Sequence, residues 1–134
     1  MTVQISAALA DAMLNAIPAS MGLSCRFQVW TSAPVDPVLE PAGVLLVDMA
    51  LPVSWLSTAS EGVAAKVGTW AGVAITDGVA ASYRFTTAGG DGFSTGTLGV
   101  AGQGADAEID TTTIVMGQTL AVTAFDFKFP GFGA

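Results

Sequence analysis

The sequence predicts a mainly β chain, an antiparallel β-sandwich or jelly roll with one N-terminal helix. Three observations predict it. Apolar residues recur at three- and four-residue steps only near the N-terminus. From Cys25 onward the apolar period is two, in short runs. Glycine, proline and Asp-Gly signals divide those runs at intervals that suit strands and turns. The 134 residues fit one domain, read as a helix over 3–18, a β-sandwich over 24–129 and a tail over 130–134.

The helix is predicted from Val3, with Ile5, Leu9, Ala12/Met13 and Ala16/Ile17 on one apolar stripe and Asp11 and Asn15 on the other side. Its alanines favour helix. Pro18 lacks an N–H and is expected to stop it, with Gly22 beyond. So short a helix is marginal alone, so its stripe must pack on something, either the open end of the sandwich or another subunit.

Cys25, Phe27 and Val29 alternate with Arg26, Gln28 and Trp30, a strand. Pro34, Pro37 and Pro41 mark the next stretch as a loop, and its P-x-x-P spacing reads as a connection rather than a ligand for a proline-binding domain. Gly43 to Leu51 is a second strand, ended by Pro52; Trp55 to Ser60 is a loop; Gly62 to Val67 and Thr69 to Ile75 are short strands, the latter closed by an Asp77-Gly78 turn. Val79 to Thr87 and Phe93 to Val100 form a hairpin across Gly89-Gly-Asp-Gly92. Ala101 to Ala105 is a loop, Glu108 to Met116 a further strand, and Gly117-Gln118 a turn. In the last strand, Thr119 to Phe129, apolar parity shifts at Ala124/Phe125. A β-bulge there would turn both sets inward; without one the strand exposes phenylalanine to a partner.

Composition excludes several function classes. Four basic residues against eleven acidic give a net charge of −7, which argues against nucleic-acid binding. The absence of histidine removes Ser-His-Asp and Cys-His chemistry and the usual Cys/His zinc sites. A lone Cys25 forms no intrachain disulfide and reads as a small buried hydrophobe. No basic n-region opens a signal peptide, and the longest uncharged stretch, Thr111 to Phe125, is too short and too rich in threonine to span a bilayer. The expectation is a soluble chain made in a cytoplasm. With only 11 % charged residues, its surface must be largely Thr, Ser, Ala and Gly, which suits faces covered by partners, the alternative being an ordinary neutral, Thr-rich β-protein surface.

Candidate motifs are few. Gly102-Gln-Gly104-Ala-Asp-Ala107 matches G-x-G-x-x-A, but residues 108–113 (EIDTTT) make a poor helix and Asp106 would repel phosphates, so it reads as a loop. Asp106, Glu108 and Asp110 alternate and share one face of a strand; a solvated acidic edge is the reading, with calcium or a glycosidase pair as the chemical alternatives. Trp30, Trp55 and Trp70 read as packing residues, the alternative being exposed rings that stack on sugars. Four of the seven phenylalanines, Phe125, Phe127, Phe129 and Phe132, lie in the last ten residues. Phe127 and Phe129 either finish the core or, with Phe132, dock on a neighbouring surface.

The stretches Ile5 to Ile17, Gly43 to Pro52 (GVLLVDMALP), Ala81-Ser-Tyr-Arg-Phe85 and Asp110 to Phe125, in the order helix, strand, Pro-rich loop and β-rich remainder, resemble small virion proteins of tailed bacteriophages, of the capsid cement (decoration) type. The resemblance covers most of the chain but rests on composition-like motifs, so no functional residue is carried over. It implies a structural role on the particle. The expected partners are the major capsid protein and further copies of the chain, as homodimer or homotrimer, with neither nucleic acid nor membrane. The expected place is the virion, after synthesis in the host cytoplasm. No catalytic, cofactor or metal residues are expected, and the expected interface is Ile5, Leu9, Met13, Phe127, Phe129 and Phe132. The alternatives are a neck, tail or head-fibre component and, from another class, a carbohydrate-binding host-attachment module. An enzyme is not expected.

Overall fold

The computed structural model describes residues 6–22, 24–34, 36, 38–39 and 41–128. Within these, one helix, α1 (Ala7–Met21), precedes the strands β1 (Arg26–Trp30), β2 (Leu45–Ala50), β3 (Val63–Ala65), β4 (Trp70–Val73), β5 (Gly78–Val79), β6 (Ser82–Thr86), β7 (Gly92–Gly99), β8 (Ala107–Ile109), β9 (Thr113–Ile114) and β10 (Thr119–Lys128). The fold is mainly β with a helix at its N-terminal end, as the patterning predicts.

The helix differs from its prediction in start, stop and phase. Ser6 is the N-cap, its hydroxyl accepting from Leu9 N at 3.2 Å, so the helix begins at Ala7 rather than Val3. Pro18 lies inside it. Proline forfeits one backbone bond but its φ suits a helix. Continuing past it lets Met21 as well as Ile17 pack against the core, and Gly22, with φ 88°, then ends the helix as its N–H donates to Pro18 O. The buried positions are Ala10 and Leu14, so the inward face is rotated by about one residue from the expected stripe. Asp11 and Asn15, expected on the solvent side, are docking groups. Their Oδ1 atoms accept from Gly62 N and Ala59 N, both at 2.8 Å. The Asp11 bond holds a tight turn in which Glu61 and Gly62 both have positive φ and Ser60 pairs with Val63 in both directions.

The main sheet runs β2-β1-β6-β7-β8-β10. On its far side β10 pairs with β4 along Thr119–Val122 and with β3 along Asp126–Lys128. Neighbours are antiparallel except β7 and β8, where Leu98 faces Ala107 and Gly99 faces Glu108 in parallel. The sandwich is therefore mixed rather than wholly antiparallel. The two predicted strands around it are also divided: Val79 to Thr87 is split into β5 and β6, and Glu108 to Met116 into β8 and β9, with β5 and β9 pairing as a small second sheet. Gly78 does not close a turn with Asp77 but opens β5, where a Cβ would meet Leu46 Cδ2 at 2.8 Å.

The sheet curls until β2 packs on β4. Ile75 N donates to Leu46 O at 2.8 Å, and a Cβ on Gly72 would stand 2.7 Å from Met49 Cβ and 2.9 Å from Val47 Cγ1. Only glycine permits that approach. The enclosed core is aromatic. Phe85 is its hub, with ring centroids of Phe27, Trp55, Trp70, Tyr83, Phe93, Phe125 and Phe127 all 5.1–5.8 Å away. The register of β10 against β8 shifts between Val122 and Ala124. That bulge leaves Thr123 and Ala124 outside while Leu120, Val122 and Phe125 stay buried, so the inward-turning alternative for the parity shift is the one realised. On the outer face of the sheet, Arg84 of β6 is buried and donates to Val38 O at 3.5 Å, which places Val38 over this strand.

Candidate interaction surface

Of the residues expected at an interface, Ile5, Phe129 and Phe132 lie outside the described residues. Leu9 and Met13 are 48 % and 44 % exposed on the outward side of α1, so they are not the residues that seat the helix. Phe127 is half-buried and belongs to the chain's own core. Its ring is 4.8 Å from Phe125, 5.5 Å from Phe85 and 6.4 Å from Trp55.

Two of the three acidic candidates are engaged through their carboxylates; Glu108 accepts from Thr123 Oγ1 at 3.2 Å through its backbone carbonyl instead. Asp106 brackets the parallel strands: its Oδ2 accepts from Thr97 N at 3.0 Å and Thr97 Oγ1 at 3.2 Å, while its own N–H donates to Thr97 Oγ1 at 3.1 Å. Asp110 Oδ1 accepts from Ala121 N at 3.4 Å. The residues between them, Ala107 and Ile109, are buried. Among the described residues no three His, Cys, Asp or Glu side chains come together as a metal site. A shallow groove of about 450 Å³ runs beside the bulge, with Lys66, Asp106, Glu108 and Asp126 on its walls, but the Lys66 ammonium already donates to Gly68 O at 2.6 Å.

Among the described residues, two ionisable groups are displaced from their ordinary values. Burial raises the Cys25 thiol, which donates to Met21 O at 3.6 Å and Gly22 O at 3.4 Å; it is held protonated and unreactive. Burial, and then the Asp106 carboxylate, push the Tyr83 phenol up to about 12, against the pull of a hydrogen bond with Ser94. Gly96 makes room for the pair, since a Cβ there would lie 2.6 Å from Tyr83 Oη and 2.7 Å from Asp106 Oδ2. A phenol so weakly acidic moves no proton near neutral pH. All three tryptophans are buried, so none offers an open ring face to a sugar. Trp70 Nε1 donates to Val67 O at 3.0 Å and Trp30 Nε1 to Gln28 Oε1 at 3.3 Å.

What the structure does expose is an apolar patch at the turn end of β10, opposite the helix. Val44, Val73, Ile75, Val79, Val115 and Met116 are each between 49 and 63 % exposed. Hydrogen bonds bring their segments side by side. Val73 pairs with Thr119, Ala74 N donates to Gln118 O and Gly117 N to Ala74 O, Met116 N donates to Asp77 Oδ1 at 2.6 Å, and Val79 pairs with Thr113. Val44 lies two residues before the Leu46 carbonyl that receives Ile75. The outward side of β4 alternates with Trp70, Gly72 and Ala74, which face the core.

Sequence reasoning missed this patch. The signal was present, because residues 70–75 (WAGVAI) are apolar at both parities, the mark of a strand covered on both faces. No known protein family, curated protein or solved structure matched the chain.

Proposed function

We propose that this chain is a structural protein of a tailed-bacteriophage particle, a capsid cement protein that binds the outer shell between major-capsid subunits. The observation that carries the reading is the pair of apolar faces at the two ends of β10, one on the helix at Leu9 and Met13 and one on the turn-end patch. An element with a packed aromatic core and an apolar face at each end is suited to holding a shell subunit at one end and a neighbouring copy at the other. The carboxylates of Asp106 and Asp110 are spent on tying strands together. The resemblance of the helix, the GVLLVDMALP strand and the last hairpin to small virion proteins supplies the setting.

Such a protein works by mass action. Whatever binds only the assembled, expanded shell stabilises that shell, and many weak copies add up. The protein acts without catalysis, in contact with the major capsid protein and with copies of itself, and resides on the virion after synthesis in the host cytoplasm. The experiment is to mix purified protein with shells that lack it. Co-sedimentation and a higher shell melting temperature are expected; loss of both would end the reading. Copy number then separates cement, present over the whole shell, from a neck, tail or head-fibre part present as a single ring or fibre.

A further inference from the structure

We propose that the turn-end patch is a homotypic contact, covered by the same patch of a second copy of this chain. The proposal rests on the structural-protein reading for its setting and gives that reading a specific self-contact.

Area is the first argument. The six residues together expose on the order of 600 Å², the top of the range for the largest apolar patch on a monomer. Two such patches face to face would remove at most about 1,200 Å² from water, the lower bound for a specific, stable interface. The same surface on both copies is what a two-fold contact requires.

Charge is the second argument. Residues 73–79 and 113–119 carry one ionisable side chain between them, Asp77, and its Oδ1 is already taken by Met116 N. The patch thus offers no charge pattern by which a basic foreign surface would be selected. Its complement is an equally uncharged, apolar surface, which another copy presents. Two molecules of net charge −7 repel one another, and they meet with least repulsion through the face that holds almost none of that charge.

Preorganisation is the third argument. The backbone of both segments is tied by the bonds around Ala74, Gln118 and Asp77, and the side chains project from paired strands, so little ordering is needed on contact.

Sedimentation velocity on the full chain, from about 1 to about 100 µM, tests this. A monomer–dimer equilibrium is expected, with the dimer favoured by added salt because the residual repulsion is screened. Val79→Glu and Met116→Glu, each outward from the core, should weaken the dimer about 100-fold while leaving the near-UV spectrum and the melting temperature of dilute, monomeric protein in place. Leu9→Glu, at the opposite end, should leave the dimer intact. A chain that stays monomeric throughout, or a dimer that survives both patch substitutions, overturns the proposal. So does an assembly that Leu9→Glu dissolves. Shell binding is scored separately: a monomer that still sediments with shells sinks the homotypic contact and spares the cement reading, and a patch-dependent dimer that ignores shells does the reverse.

Discussion

The two ends of β10 solve the same problem in opposite ways. At its carboxyl end α1 sits beside β3. Asp11 and Asn15 reach across to Gly62 and Ala59, and Leu14 goes inward among Ala59 and Ala64. At its amino end polar groups again satisfy backbone, as Asp77 receives Met116 N and Gln118 Oε1 receives Val115 N. There, however, Val73, Ile75, Val79 and Val115 point away from the core. One end uses its polar side chains to fasten an apolar element down. The other uses them to fix a turn and leaves its apolar side chains in water. Exposed apolar surface is therefore no sign of loose structure in this molecule, and that combination is what a binding face needs.

Both ends share one core, so the largest effect should come from its centre. Phe85→Ala removes the ring that neighbours seven others and should cost about 3–5 kcal/mol in urea unfolding. It should lower the protection of amides at both ends together; protection lost at one end alone would mean two separate units. Gly72→Ala comes next, at about 1–3 kcal/mol, because its methyl would be driven into Met49 and Val47 on a strand with no room to retreat. At the helix end, Asn15→Ala should cost about 1–2 kcal/mol by leaving Ala59 N without its acceptor, and should speed hydrogen exchange there.

A pH effect separates the shared core from both ends. The Tyr83 phenol is raised from 10.0 to about 12 in the folded chain. Above pH 10 the unfolded chain releases this proton while the folded chain keeps it, so the unfolded state binds fewer protons and stability falls as pH rises. The contribution is fully present below pH 10 and is lost on the way to about 12. With solvent screening discounted, the loss should be about 1 kcal/mol by about pH 11. As the only tyrosine, Tyr83 gives a phenolate absorbance that reports the titration directly. An unshifted phenolate titration would mean that its ring is not buried beside Asp106.

These contrasts also explain what the sequence disclosed. The strand at Arg26–Trp30 and the bulge of β10 were legible because large apolar side chains alternate there with polar ones, and a parity change has few physical solutions. The helix was legible as a helix but not in its phase. Its inward face is marked by Ala10 and Leu14, while the larger Leu9 and Met13 face out, and Asp11 and Asn15 are polar groups with buried work to do. Nothing local says that. The contact of Asn15 with Ala59 spans 44 residues, and that of Asp11 with Gly62 spans 51. The parallel β7–β8 pair was hidden for the same reason, since the residues linking those strands fix a turn but not the direction of the next strand. The turn-end patch was readable in principle and missed because an apolar residue in a strand is ordinarily counted toward the core.

The smallest expected effect is the most informative about that patch. Val79→Thr keeps a β-branched side chain on an outward position of β5 and removes part of its apolar surface. If Val79 serves only a contact with another molecule, the folding stability of dilute, monomeric protein should stay within about 0.5 kcal/mol of the parent. Ile75→Thr should behave likewise, whereas Gly72→Ala, three residues away and facing inward, should not. Chemical denaturation at low protein concentration reads the difference. A loss above about 1 kcal/mol for Val79→Thr would show that the side chain is already packed against its own chain, because exposed positions do not lose so much. The patch would then be an extension of the core, and the two ends of β10 would differ in degree rather than in kind.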